Sequence, residues 1–147
     1  MKNKLILSIA IFSIVSLISS CRKYEEGPNI SLRSKKQRLT NNWGLEVVLI
    51  NGVDVAKDPY WSKQEHHLYG DEKYIVTIIN PQTLVASNIQ GNWKIYDGGK
   101  KLALTTNSFA GVVDSTTDYR ILKLYEKQLW IRSLDNSREL HFIPFEQ

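Results

Sequence analysis

Residues 43–50 carry the sequence WGLEVVLI, and the dipeptide Asn51-Gly52 follows them at once. Alternate residues counted from Trp43 are predicted to share one face of a β-strand, and those counted from Gly44 to share the other, because side chains along a strand have a period of two. Asn-Gly is a strong signal for a β-hairpin, since both residues accept the positive φ angles of a type I′ turn. The stretch therefore predicts the first hairpin of an all-β domain.

Short strands joined by tight turns are predicted for most of the remaining chain. Residues 56–73 are predicted as a long polar connection and residues 107–118 as a loop, and helical periodicity is nearly absent after residue 40. The predicted strands cover residues 43–50, 53–55, 74–80, 83–88, 93–96, 100–106, 119–125, 128–133 and 138–145. This spacing indicates an antiparallel up-and-down meander of about eight strands, closed as a barrel or folded as a sandwich.

A short basic segment precedes the first strand. Residues 31–39 are predicted to form a helix with Ser31 as N-cap and with Leu32 and Leu39 facing the body of the domain. Its outer side is predicted to carry Arg33, Lys35, Lys36 and Arg38. Two interpretations of this charge stay open: attraction to acidic lipid headgroups, at about 1 kcal/mol per basic residue, or an ordinary solvated helix face.

The N-terminal residues have the layout of a secretory signal. A basic start is followed by an apolar run over residues 5–18, which is too short to span a bilayer comfortably, and then by Ser19-Ser20-Cys21. The pattern resembles a bacterial lipobox. That resemblance implies a signal peptide over residues 1–20, lipid attachment at Cys21 and a lipidated tether over residues 21–30.

The alternative is an ordinary signal peptide or an N-terminal membrane anchor in which Cys21 has no role. Cys21 is the single cysteine of the chain, so no internal disulfide is possible. A lone free thiol is unusual in an exported protein, which favours lipidation.

Length and charge bound the remaining functions. Removing 20 of the 147 residues leaves 127, enough for one domain at residues 31–147, and lowers the formal charge from +4 to +2 because Lys2 and Lys4 are lost. Near-balanced charge argues against a nucleic-acid partner, which requires a coherent basic face. We expect a monomer.

Several loosely spaced features resemble the lipocalin-like lipoproteins of Bacteroidota. They are the basic helix, Leu39 with Trp43 four residues later, Gly91-Asn92-Trp93, and Leu129-Trp130-Ile131. The resemblance implies a lipocalin-like β-barrel in which Trp43 closes one end. It also implies a place in the cell envelope, anchored to the outer membrane and either periplasmic or surface-exposed. The sequence KYEE at residues 23–26 is similar to the signal that sends such lipoproteins to the cell surface.

No motif predicts catalysis. Glu65-His66-His67 is the one concentration of possible metal ligands, but adjacent histidines on an extended chain point to opposite faces, so we expect neither a metal site nor another cofactor. No nucleophile elbow or phosphate-binding loop is visible. A non-enzymatic protein is therefore expected, and a hydrolase using His66, His67 or His141 is the weakest alternative.

Two binding functions are left open. The first is binding of a small apolar or amphipathic ligand inside the barrel. The second is an interaction module with a filled barrel that docks a protein or glycan on its outer surface. Tyr60 and Trp61 lie in the long connection, where they could guard the mouth of the barrel, stack on sugar rings or plug one end. The candidate ligand-binding residues are Trp43, Trp93, Leu104, Phe142, Tyr60 and Trp61.

Overall fold

The computed structural model describes residues 32–107 and 115–145. The predicted signal peptide, Cys21 and the tether at residues 21–30 lie outside the described residues. The helices are α1 (Lys35–Leu39) and α2 (Pro59–Ser62), and Asp97–Gly99 forms a 3₁₀ turn. The strands are β1 (Asn41–Ile50), β2 (Val53–Asp54), β3 (Glu65–Leu68), β4 (Lys73–Ile79), β5 (Ala86–Tyr96), β6 (Lys101–Thr106), β7 (Ser115–Leu124), β8 (Leu129–Ser133) and β9 (Arg138–Pro144).

Strands β1 and β3 to β9 form a closed antiparallel barrel. Each strand from β3 to β8 pairs with the one that follows it, and β9 pairs back onto β1. The two-residue strand β2 pairs with the far end of β1 across the Asn51-Gly52 turn. The predicted all-β meander of about eight strands is therefore confirmed, as a closed eight-stranded barrel consistent with a lipocalin-like architecture. All the strands of this barrel lie within residues 22–147.

A β-bulge in β1 changes the faces predicted for that strand. The register with β9 shifts between Leu45 and Val47, so that Glu46 is the extra residue. Beyond the bulge the inward side chains are Val48, which is fully buried, and Ile50, which packs against the core. The prediction that alternate residues from Trp43 to Leu49 share one face is correct only before the bulge.

The predicted connection over residues 56–73 contains regular structure. Asp58 caps α2 through its side chain, which accepts a hydrogen bond from the Tyr60 amide, and Pro59 takes the first helical turn. The strand β3 then pairs with β1 on one side and β4 on the other. The prediction of a connection without regular structure is therefore wrong. Burial alternates along β3, since His66 and Leu68 are buried and Glu65 and His67 are half-buried.

Helix α1 closes one end of the barrel. It begins three residues later than predicted, with Ser34 rather than Ser31 as N-cap, and Ser34 forms a capping box with Gln37. Leu39 is fully buried, as predicted, but Leu32 is fully exposed, so its predicted packing is wrong. Arg38 is also misassigned: its side chain is 8% exposed and donates a hydrogen bond to the Leu124 carbonyl at 2.7 Å.

The basic side chains around α1 bind the turns at this end of the barrel. Arg33 pairs with Glu126 at 2.6 Å and Lys36 with Glu72 at 2.7 Å, and Lys35 Nζ donates to the Gly98 carbonyl at 2.7 Å. With Arg38 these bonds reach the β3–β4, β5–β6 and β7–β8 turns. These bonds hold the helix against the barrel. Neither interpretation of its basic side chains, attraction to lipid headgroups or a solvated face, predicted them.

Candidate functional site

Four predicted ligand-binding residues face the barrel interior, where they pack against one another and against neighbouring aliphatic side chains. Trp43 is fully buried, Trp93 and Phe142 are each 2% exposed, and Leu104 is 7% exposed. Trp43 Nε1 donates to the Leu39 carbonyl and Trp93 Nε1 to the Tyr69 carbonyl, both at 2.9 Å. These contacts tie the two indoles to the end closed by α1. A ligand at this level of the barrel would have to displace packed side chains.

The interior also holds a short line of polar groups. His66 Nδ1 and the Tyr74 hydroxyl lie 2.7 Å apart, and no partner among the described residues bonds His66 Nε2. Burial, together with the neighbouring His67, lowers the pKa of His66 to about 3. Burial also raises the pKa of Tyr74, and proximity to Tyr119 adds to that rise. These groups are therefore neutral near pH 7, and they are too enclosed to act as a surface acid or base.

The two aromatic residues predicted to lie in the long connection belong to α2. Trp61 is half-buried and packs against the core, and the Arg138 guanidinium lies 5.6 Å from its ring centre. Tyr60 is 46% exposed and meets Trp61 edge-on at 4.9 Å. Trp61 therefore packs against the barrel core, whereas Tyr60 lies on the surface.

A cleft of about 580 Å³ opens beside α2, on the wall formed by β1 and the end of β9. This volume is within the range typical of small-molecule sites. Most of the lining is apolar or lacks a side chain. The lining residues are Gly44, Leu45, Ser62, Gln64, Lys127, Ile143, Pro144 and Phe145. Three segments distant in sequence and one turn residue thus form a single concave surface.

The cleft exists because β1 lacks a continuous neighbour on the β3 side. Its ladder with β3 ends at the Gly44–Glu65 pair, and its ladder with β2 begins at Leu49. Gln64, in the segment that follows α2, lines the cleft, is 5% exposed and donates its amide to the Tyr60 carbonyl at 3.1 Å.

Gly44 leaves the floor of the cleft open. An added Cβ at this position would come within 3.2 Å of the Phe145 ring, which lies over the glycine. Any side chain at position 44 would therefore narrow the cleft or push Phe145 aside.

A second, smaller cleft of about 370 Å³ lies near the opposite end of the barrel, and most of its lining residues are of polar types. Asp135 is on its edge, and hydrogen bonds from the Ser133 and Ser137 side chains and the Ser137 amide lower its pKa to about 2. Because these bonds fix the β8–β9 turn, the carboxylate is already engaged in holding its own turn.

The three histidines lie in different surroundings. His66 faces the interior, whereas His67, on the opposite face, lies 2.9 Å from the Asn42 side-chain oxygen, which confirms the prediction that these adjacent residues point apart. His141 is on the outer wall, stacked on Trp130 at 4.1 Å and 2.6 Å from Glu139. Within residues 32–107 and 115–145, no group of three or more His, Cys, Asp or Glu residues is placed to hold a metal ion.

None of the helices in the described part of the chain has the length and apolar character needed to cross a membrane.

The 580 Å³ cleft was not predicted from the sequence. Its one visible sequence signal is the apolar run Ile143-Pro144-Phe145 at the end of the last strand, in which Ile143 and Phe145 remain 38% and 36% exposed. The other lining residues come together only when β9 closes the barrel against β1.

Searches of protein-family models and of curated proteins found no match to this chain.

Proposed function

We propose that this protein is a non-enzymatic lipoprotein, anchored to the outer membrane of the cell envelope through Cys21, which binds a small amphipathic ligand. The observation that carries the binding function is the 580 Å³ cleft between α2 and the end of β9. Leu45, Ile143 and Phe145 supply apolar surface, and Ser62 and Gln64 supply polar groups. A mostly apolar concave site with a few polar groups is the usual form of a small-molecule pocket.

The cleft supports this function better than the barrel interior does. Trp43, Trp93 and Phe142 fill the interior to between 0% and 2% exposure. Displacing such side chains would cost several kcal/mol of packing, by analogy with large-to-small core substitutions. The cleft requires no such displacement.

The first test is native mass spectrometry of residues 22–147 purified without detergent, followed by organic extraction of whatever co-purifies. A stoichiometric amphipathic molecule would support the proposal. A mass equal to that of the polypeptide, unchanged after incubation with an envelope lipid extract, would contradict it.

Two variants then locate the site by titration with the fluorescent probe N-phenyl-1-naphthylamine. Gly44→Leu fills the floor of the cleft and is expected to abolish probe binding, whereas Gly70→Ser, in an exposed turn, is the matched control. Trp93→Ala is expected to leave the cleft intact. Loss of binding in Trp93→Ala but not in Gly44→Leu, with both variants folded, would place the ligand inside the barrel.

A second candidate function is docking of a partner protein. At the end of the barrel opposite α1, three turns expose aliphatic side chains: Val53 is 63% exposed, Leu84 67%, Val85 60% and Leu134 41%. Exposed aliphatic side chains favour a protein partner over a glycan partner. Sugar rings stack on aromatic side chains, whereas protein interfaces bury aliphatic surface. Photo-crosslinking from position 84 in intact cells should give a discrete protein adduct. An equal yield from position 46, on the barrel wall, would argue against specific docking.

A further inference from the structure

One charged side chain lines the 580 Å³ cleft. Lys127 lies in the β7–β8 turn and is the single ionisable residue among the residues that form the cleft. It adds a single positive charge to a mostly apolar concave surface, and that charge bears on the kind of ligand that the cleft would accept.

The carboxylate next to Lys127 in sequence is already engaged. Glu126 pairs with Arg33 of the α1 segment, with 2.6 Å between Nη1 and Oε2. In the β1–β3 ladder, Glu65 is opposite Gly44 and lies 3.5 Å from His67. No salt bridge between residues within 32–107 and 115–145 includes Lys127. Lys127 is exposed, so a ligand in the cleft can reach its ammonium group.

We infer that the ligand of this cleft is a single-chain amphipathic anion of the fatty-acid type, with its carboxylate at Lys127 and its apolar chain along Leu45, Ile143 and Phe145. This inference rests on the proposed binding function and adds the chemical class of the ligand. Charge complementarity favours it, since one cation at the edge of an apolar surface matches one anion at the end of an apolar chain.

The end of the cleft at Gln64 agrees with this orientation. Gln64 is 5% exposed and already donates its amide to the Tyr60 carbonyl, so it has less capacity to bond a charged group than Lys127 has. Gly44 and Phe145 beside it offer only apolar contact. The apolar chain would therefore occupy this end, and the carboxylate would remain near water at the turn.

The test is calorimetric titration of residues 22–147 with dodecanoate, dodecanol and dodecyltrimethylammonium, each below its micelle-forming concentration. We expect dodecanoate to bind most tightly. Lys127→Gln should weaken dodecanoate binding roughly three- to tenfold, as expected for loss of a partly exposed charge contact, and leave dodecanol unchanged. Lys127→Arg should restore the preference. Lys100→Gln, in another turn at the same end of the barrel, is the control and should bind like the wild type.

The outcomes separate this inference from the function on which it rests. Equal affinity for dodecanoate and dodecanol, or unchanged dodecanoate binding in Lys127→Gln, would overturn the anionic head group and leave the amphipathic site in place. Failure of every ligand to bind would overturn the proposed function itself. Binding to phosphatidylglycerol vesicles without binding to monomeric dodecanoate would also overturn the inference, because the anion recognised would then be a membrane surface.

Discussion

His66 Nδ1 lies 2.7 Å from the Tyr74 hydroxyl inside the barrel, and both side chains are almost completely buried. The imidazole also meets Phe142 edge-on at 5.0 Å. A neutral histidine is thereby built into an aromatic core, with one ring nitrogen bonded. Such a residue makes the stability of the fold depend on pH.

The first prediction concerns acid stability. Burial holds the pKa of His66 at about 3, whereas the unfolded chain takes up that proton near the ordinary value of 6.5. As the pH falls from about 6.5 towards 3, protonation therefore stabilises the unfolded state, and the free energy of unfolding should fall by up to about 1.4 kcal/mol per pH unit. His66→Gln removes this dependence and keeps a polar partner for Tyr74.

Urea unfolding at pH 7.5 and pH 4.5 measures the effect. The wild type should lose about 2.5 kcal/mol more than His66→Gln does between these two pH values. Carboxylates with lowered pKa values, such as Glu139 and Asp135, also cost stability in acid, but they do so in both proteins. Equal losses in the two proteins would show that His66 is not buried in neutral form.

The second prediction compares two basic residues of α1. Arg38 is buried and bonds the Leu124 carbonyl, whereas Lys36 and Glu72 form an ion pair on the surface. Arg38→Leu should lower the free energy of unfolding by about 1–3 kcal/mol, because it leaves a buried carbonyl without its donor. Lys36→Gln should cost less than about 1 kcal/mol. Thermal unfolding of both variants checks this order, and a larger loss for Lys36→Gln would contradict it.

The third prediction concerns Gly91 of β5, which pairs with Thr106 of β6. A Cβ at this position would overlap the Thr105 carbonyl and the Thr106 Cα on the neighbouring strand. Gly91→Ala should therefore cost more than about 3 kcal/mol or prevent folding, since the two strands must separate. Gly70→Ala is the control, because its nearest neighbour is 4.0 Å away in Thr40. Circular dichroism and urea unfolding of both variants would decide, and a stable Gly91→Ala barrel would contradict the prediction.

Alternation and turn chemistry were enough to predict the antiparallel meander, but they left its closure as a barrel or folding as a sandwich open. The barrel was implied by the family resemblance, and the errors occur where tertiary contacts decide. The bulge at Glu46 leaves no signature in sequence, because Val47, Val48, Leu49 and Ile50 are all aliphatic and suit either face. The strand β3 was hidden because His66 reads as polar, and it is buried only because Tyr74 bonds it and Phe142 packs on it. Arg38 was misassigned for a similar reason: its acceptor lies 86 residues away at Leu124.

The candidate site was harder to predict than the fold. Aromatic residues are the obvious candidates for ligand contact, yet Trp43 and Trp93 make the packing and hydrogen bonds of core residues. The cleft depends on a glycine, a gap between strand ladders and the lysine of a turn, which come together only through closure of β9 on β1. None of the six predicted ligand-binding residues lines the cleft, and of α2 only Ser62, which follows Tyr60 and Trp61, does so.

The last prediction concerns the anchor, which lies outside the described residues. If Cys21 is lipidated, the full-length protein expressed in its native envelope should incorporate an alkyne-labelled palmitate and partition into the detergent phase of Triton X-114. Two or more acyl chains hold a protein on a membrane at about 0.8 kcal/mol per buried methylene, whereas one chain binds only marginally. Cys21→Ser should carry no label, and Ser16→Ala, within the apolar run, should behave as the wild type. Equal labelling of wild type and Cys21→Ser, or no label in either, would contradict lipidation at Cys21 and favour an ordinary signal peptide or an N-terminal membrane anchor.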